Sequence, residues 1–114
     1  MEKNVLSSTF MISKDHPALP GHFPKHPVVP GVVLLEQVEQ QLQEALQAYE
    51  ITELNQAKFT HLVLPEQPIV LVIDILPRAD NLTIKAKWRL TLEQGIVCAT
   101  GQFMLARKNE EGSQ

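Results

Sequence analysis

Apolar residues recur every three or four positions along one stretch of the chain, which is the spacing of a helix that buries one side. The stretch begins at Gly31, and Pro30 before it suits the first turn of a helix, where a missing N–H costs nothing. No proline interrupts it before Glu50. The apolar positions in the stretch are Leu35, Val38, Leu42, Ala45, Leu46 and Tyr49. The pattern therefore predicts an amphipathic helix from Gly31 towards Glu50.

Much of the remaining chain alternates between apolar and polar residues, as strands do when a sheet buries one face. The alternation is clearest between Leu82 and Leu90, where Lys85, Lys87 and Arg89 occupy polar positions. Strands are predicted at residues 5–12, 57–63, 68–77, 82–92 and 95–107. One strand, a helix and four further strands make an α+β fold, in which a single helix covers one antiparallel sheet. Such a sheet has an edge strand, which favours dimerisation by edge pairing.

The segment between the first strand and the helix is rich in proline. Residues 16–31 contain five prolines and two glycines. Proline removes a backbone donor and fixes φ, so neither a helix nor a paired central strand can run through this segment. We therefore predict an ordered loop that leads into the helix.

Length and charge narrow the possible functions. The 114 residues suffice for one domain, 1–114, with a polar tail from residue 108 that is predicted to be frayed. The net charge of −3 argues against nucleic acid or an anionic membrane as partner. No apolar run is long enough to cross a bilayer, and the first residues lack the apolar core of a signal peptide, so a cytoplasmic protein is expected. Cys98 is the only cysteine, which excludes an internal disulfide.

One motif carries the functional information. Gly21-His22-Phe23-Pro24 is followed by Pro27 and then by a run from Pro30 to Glu36. This sequence resembles the hotdog-fold 3-hydroxyacyl-[acyl-carrier-protein] dehydratases, whose signature is GHFPxxPxxPGVLxxE. Every fixed position is present except for one change from leucine to valine, at Val33.

The resemblance implies a fold, a reaction and partners. The fold would be a long central helix wrapped by a single antiparallel sheet, in a chain that dimerises. The substrate would be a (3R)-3-hydroxyacyl thioester on the phosphopantetheine of an acidic acyl carrier protein, and the product would be the trans-2-enoyl thioester. No other cofactor is expected. In that family the site lies at the dimer interface, with the histidine from one subunit and the glutamate from the helix of the other, in a homodimer or a heterodimer with a related dehydratase.

The residue types suit this chemistry. His22 fits the base that removes the Cα proton, because an imidazole is partly neutral at physiological pH. Glu36 fits the acid that protonates the departing hydroxyl, if burial beside Val33 and Leu35 keeps its carboxyl protonated. Gly31 opens the helix, where free N–H groups and the positive end of the dipole can polarise the thioester carbonyl. The helix rises about 7.5 Å from Gly31 to Glu36, which leaves room for a short stretch of substrate.

Further contacts are expected around these groups. The acyl chain is expected to contact residues that flank the catalytic motif, namely Phe23, Val29, Pro30, Val32 and Val33. The basic residues that could contact the carrier protein are Lys14, Lys25, Arg78, Lys85, Lys87 and Arg89. A metal cluster of His16, His22, His26 and Glu36 is not expected, because Pro24 and Pro27 prevent the helical geometry that would place His22 and His26 on one ion.

The sequence also departs from the family pattern. Lys25 stands where glycine is usual, the helix reads EQVEQ from Glu36 where EAMAQ is common, and Leu64-Pro65-Glu66-Gln67 replaces a Leu-Pro-Gly-Asp turn. These changes point to a specialised relative, such as the thioester dehydratases of aryl-polyene pathways. Two alternatives remain open on the same fold: an acyl thioesterase, and a non-catalytic carrier-binding subunit that pairs with an active homologue.

Overall fold

One helix lies across one antiparallel sheet of five strands. The computed structural model describes residues 4–19 and 28–108. In chain order the elements are β1 (Asn4–Phe10), α1 (Gly31–Ala45), β2 (Tyr49–Phe59), β3 (Ile69–Pro77), β4 (Thr83–Leu92) and β5 (Val97–Arg107). The strand order in the sheet is β1-β3-β4-β5-β2, and all neighbouring strands pair antiparallel. The predicted α+β architecture is confirmed.

The core lies between α1 and the inner face of the sheet. Alternate residues of β3, β4 and β5 are buried, because successive side chains of a strand point to opposite faces of the sheet. Residues directly opposite each other in an antiparallel pair share a face, so the buried residues of the three strands form one surface. The helix buries one side against them through Val33, Leu34, Val38 and Leu42. Trp88 and Phe103 are both buried and stack with ring centroids 6.2 Å apart, in keeping with a packing role.

The end of α1 and the start of β2 differ from the sequence prediction. The helix stops at Ala45 because Leu46 leaves the helical conformation, with φ −122° and ψ 64°. A short turn follows, closed by a hydrogen bond from the Tyr49 N–H to the Leu46 carbonyl, and Tyr49 already pairs with Arg107 of β5. Leu46 and Tyr49 still pack against the core. Their helical spacing was therefore a misleading signal, since a turn and a strand bury the same two side chains.

The β2 strand was predicted at residues 57–63, and its true extent could not be seen in the alternation of the sequence. Two register shifts, between Ile51 and Glu53 and between Leu54 and Gln56, interrupt its pairing with β5. Each shift breaks the period of two. The strand also forms an edge of the sheet and is largely exposed, so few apolar residues mark it.

In the Leu64–Gln67 turn, the residue that replaces the family's glycine, Glu66, has a left-handed backbone conformation. Glu66 has φ 69°, in the region that favours glycine. Its N–H donates to the Ile12 carbonyl, and its carboxylate accepts a hydrogen bond from the Lys14 N–H at 2.8 Å. The glutamate thus ties the segment after β1 to this turn.

At the other end of the chain the Lys108 N–H donates to the Ala48 carbonyl. Lys108, the first residue of the tail predicted to be frayed, is thus held by a hydrogen bond, and the rest of that tail, 109–114, lies outside the described residues.

Candidate functional site

The beginning of α1 is fixed in place by contacts with the end of β2 and the residues after it. The Val29 N–H donates to the Val63 carbonyl at 2.8 Å. The N–H groups of Val33 and Leu34 then donate to the Pro30 carbonyl, which closes the first turn. The N–H groups of Gly31 and Val32 precede these and have no acceptor within the helix. They are the donors that a carbonyl oxygen at this helix end would meet.

An aromatic ring of β2 covers the glycine at this end of the helix. A Cβ placed on Gly31 would lie 3.0 Å from Phe59 Cζ and 3.1 Å from its Cε2, so the ring packs directly on the glycine. Phe59 is nevertheless 45% exposed, and Val32, which follows Gly31 in the helix, is 61% exposed. Sequence reasoning assigned Phe59 only to a strand, because its contact with Gly31 is tertiary. The helix N-terminus is therefore bordered by apolar surface that the described residues leave exposed.

Glu36 lies on the side of α1 that faces away from the sheet. Successive helix residues are about 100° apart, so Glu36 is roughly opposite the buried Val38. The Glu36 side chain is exposed, as is that of Glu39. Val33, which was expected to bury it, points into the core and is 1% exposed. No strand of the chain's own sheet can therefore cover Glu36. A cover has to come from residues outside the described ranges or from another chain.

The described residues include only part of the predicted site. His22 and Phe23 lie outside the described residues, so the pairing of His22 with Glu36 stays a prediction. Of the other residues expected to contact substrate, Val32 presents its side chain at the surface and Pro30 is half-buried. Val29, at 7% exposed, belongs to the core with Val33, so a substrate could reach these two only if the single chain rearranged.

Among the described residues, Cys98 and Asp80 have shifted pKa values, and both lie away from this site. Burial raises the pKa of the Cys98 thiol, which donates to the Leu90 carbonyl at 3.4 Å, and this agrees with a packing role. The pKa of Asp80 is lowered by hydrogen bonds from the Leu82 N–H and from the hydroxyl and N–H of Thr83. Asp80 thereby closes the turn between β3 and β4.

Within residues 4–19 and 28–108, no three His, Cys, Asp or Glu side chains are grouped so that they could hold a metal ion. His22 and His26 lie outside these ranges. In the same part of the chain, α1 is too short and too polar to span a bilayer, and no longer helix is present.

Comparison with known proteins gives concordant results. The model of the ApeI-like family, described as ApeI dehydratase, matches residues 1–102. The 3-hydroxyacyl-[acyl-carrier-protein] dehydratase FabZ of Pasteurella multocida is 30% identical over 108 residues, covering 85% of this chain and 68% of that protein. The dehydratase heterocomplex ApeI:P from Xenorhabdus doucetiae superposes with a TM-score of 0.73 at 18% identity, covering 94% of this chain and 96% of the other. A predicted thioesterase from Bacillus stearothermophilus superposes with a TM-score of 0.75 at 12% identity, covering 96% and 84%.

The structural neighbours show a hotdog fold, and the sequence relatives support an enzyme of the dehydratase type. Fold alone does not separate dehydratases from thioesterases, since both superpose well. The sequence match does separate them. The chain belongs to the ApeI-like dehydratase family.

Proposed function

We propose that this protein converts a (3R)-3-hydroxyacyl thioester, carried on the phosphopantetheine of an acyl carrier protein, to the trans-2-enoyl thioester, in a pathway of the aryl-polyene type. The observation that carries the proposal is the placement of Glu36. It stands on the outward side of α1, about one and a half turns from the open helix end at Gly31, within the matching motif.

The proposed reaction divides the work among three groups. The thioester carbonyl accepts hydrogen bonds from the free N–H groups at Gly31, which stabilise negative charge on its oxygen. His22 takes the Cα proton, and the electron pair of that C–H bond forms the new double bond as the C3–O bond breaks. Glu36 donates a proton to the departing hydroxyl, so that water leaves. Return of the proton from the His22 imidazolium to the Glu36 carboxylate, through solvent, restores both groups. Apart from the phosphopantetheine of the carrier, no cofactor enters these steps.

A second subunit completes the proposed site. Glu36 and the apolar border formed by Val32 and Phe59 are exposed in one chain, and an enzyme site has to exclude water from its acid. A partner subunit that supplies its His22 loop would cover both. The partner is either a second copy or a related dehydratase, and the latter is supported by a structural neighbour described as a dehydratase heterocomplex.

The test is mass spectrometry of a carrier-bound 3-hydroxyacyl panel incubated with wild type and three variants. We expect loss of one water with the wild type, and rates lower by about a hundredfold or more for His22→Ala and Glu36→Gln. Glu39→Gln is the matched control, because Glu39 is also an exposed carboxylate of α1. It should retain the wild-type rate. If Glu36→Gln dehydrates as fast as Glu39→Gln, Glu36 is not the acid.

Thioester hydrolysis is the second candidate, supported by the thioesterase neighbour. Hydrolysis releases the free thiol of phosphopantetheine, which a thiol reagent detects, whereas dehydration leaves the thioester intact. A carrier-binding subunit without catalysis would show neither product. It would also tolerate His22→Ala and Glu36→Gln while still binding the carrier.

A further inference from the structure

The outer face of the sheet, opposite α1, carries a group of basic side chains. On β4, Lys87 and Arg89 alternate with the buried Trp88 and therefore point away from the helix. Arg89 lies opposite Thr100 of β5, and Thr100 lies opposite Lys58 of β2. The three cations thus lie on the same face, on the two strands β4 and β2 that flank β5. We call the surface around Lys58, Lys87 and Arg89 the basic groove.

This surface is concave. A cavity of about 300 Å³ runs across it, and Lys87 and Arg89 form part of its lining. Its other polar lining residues are Gln56, Thr100, Gln102 and Asp74. Gly101 also lines the cavity. The lining holds two cations, two amides and one carboxylate, Asp74 of β3, which lies directly opposite Lys87. With Lys58 beside it the groove keeps a net positive charge, so it suits an anionic surface.

Charge is distributed unevenly over the chain. The net charge is −3, and exposed carboxylates lie on α1, on the far side of the sheet from the basic groove. On the outer face itself, Glu50 and Glu53 lie towards the opposite end of β2 from Lys58. The groove is therefore a local cationic site on an acidic protein. Such a site attracts an acidic partner to the outer face of the sheet, while the carboxylates of α1 repel that partner from the opposite side.

The groove ends beside the candidate active site. Lys58 and Phe59 are consecutive residues at the end of β2, and they point to opposite faces of the sheet. Lys58 borders the outer face, while the Phe59 ring packs on Gly31 at the helix end. A flexible arm attached to a molecule in the groove could pass around the end of β2 and arrive at Gly31.

We propose that the basic groove docks the acidic surface of the acyl carrier protein and directs its phosphopantetheine arm around the end of β2 to the helix end. This rests on the proposed function. A second copy of this chain fits less well, because docking the carboxylates of its α1 would place the basic groove, instead of the partner's His22 loop, over Glu36. The groove is also polar and lined by long charged side chains, which suits a transient contact better than a permanent subunit interface.

The test reverses charge in the groove. Lys87→Glu with Arg89→Glu is compared with Arg107→Glu and Lys108→Glu, a pair that changes net charge equally at exposed positions elsewhere. Binding of a phosphopantetheinylated acyl carrier protein is measured by calorimetry, and kcat/KM is measured with carrier-bound and carrier-free 3-hydroxyacyl pantetheine thioesters. We expect the groove pair to lower carrier affinity and kcat/KM for the carrier-bound substrate by about tenfold or more at low salt. The carrier-free substrate should be turned over at the wild-type rate. Raising the salt concentration should shrink the difference.

Each alternative outcome has a distinct signature. Carrier affinity equal in the groove pair and the control pair would overturn the proposal. So would a change in oligomeric state by light scattering with carrier binding intact, since the face would then be a subunit interface. The neutral pair Lys87→Gln and Arg89→Gln guards against a fold defect and should give a smaller loss of the same kind. If the wild type dehydrates neither substrate, the proposed function fails, and the carrier titration still tests docking.

Discussion

Gly101 occupies a position where even a methyl group has no room. A Cβ at this residue would lie 2.3 Å from Trp88 Cζ2 and 2.5 Å from the Gln56 carbonyl oxygen. Carbon atoms in contact normally stay about 3.5–4.0 Å apart, so the indole would have to move by more than about 1 Å. The indole is buried and stacked on Phe103, and the second obstacle is backbone. We expect Gly101→Ala to lower the free energy of unfolding by about 3 kcal/mol, the upper end of the range for overpacked cores.

The measurement is urea denaturation followed by tryptophan fluorescence. Trp88 is the only tryptophan, so the signal reports directly on the ring that the new methyl group would displace. Gly95→Ala is the matched control, because Gly95 has φ 85° and nothing lies within 4 Å of a Cβ placed there. Its cost should be only the left-handed backbone strain, about 1 kcal/mol. If Gly101→Ala destabilises the protein no more than Gly95→Ala, the packing argument is wrong.

Three further predictions concern the Glu66 turn, the Asp80 turn and the shared site. Glu66→Gly and Glu66→Ala both lose the hydrogen bond from the Lys14 N–H, but only glycine relieves the left-handed strain. In urea denaturation the Glu66→Gly variant should therefore be about 1 kcal/mol more stable than the Glu66→Ala variant. Equal stabilities of the two variants would refute this. Because hydrogen bonds in its turn lower the pKa of Asp80, its charge stabilises the fold above the ordinary pKa of 3.8, and that stabilisation is lost as the pH falls through the lowered value. Thermal unfolding should therefore show a gap between wild type and Asp80→Asn that is constant at neutral pH and closes below about 3.8, whereas a gap that persists in acid would contradict the charge argument. If homodimer sites are shared between subunits, mixing His22→Ala chains with Glu36→Gln chains should restore about a quarter of the wild-type dehydration rate. Half of the dimers would then be mixed, and each mixed dimer would hold one intact site of two. A mixture as inactive as either variant would place both residues in one chain.

The strands beside the core were predictable from sequence, whereas most of β2, one of the two edge strands, was not. For β3, β4 and β5 the predicted bounds differ from the observed ones by one or two residues, because each strand buries every second side chain. The start of α1 at Gly31 was also predicted correctly, from a proline followed by helical spacing. By contrast, β2 is exposed on an edge and its pairing shifts register twice, so no periodic burial marks it in the sequence.

The candidate site shows a similar division. The motif identifies the residue types and places Glu36 on the helix, and the helix period then fixes the direction in which its side chain points. The contact of Phe59 with Gly31 joins residues far apart in sequence, and nothing local predicts it. The burial of Val33 in the core also depends on which side of α1 meets the sheet.

The exposure of Glu36 links the proposed catalysis to assembly. A carboxyl group can serve as an acid at neutral pH only where its surroundings exclude water and favour the protonated form. In the single chain, α1 uses its other side for the core, so the sheet cannot provide those surroundings. The apolar surface of Val32 and Phe59 lies at the same end of the helix and is equally uncovered. Both features are consistent with one explanation, in which docking of a second subunit buries the apolar border and gives Glu36 the environment that its proposed role requires.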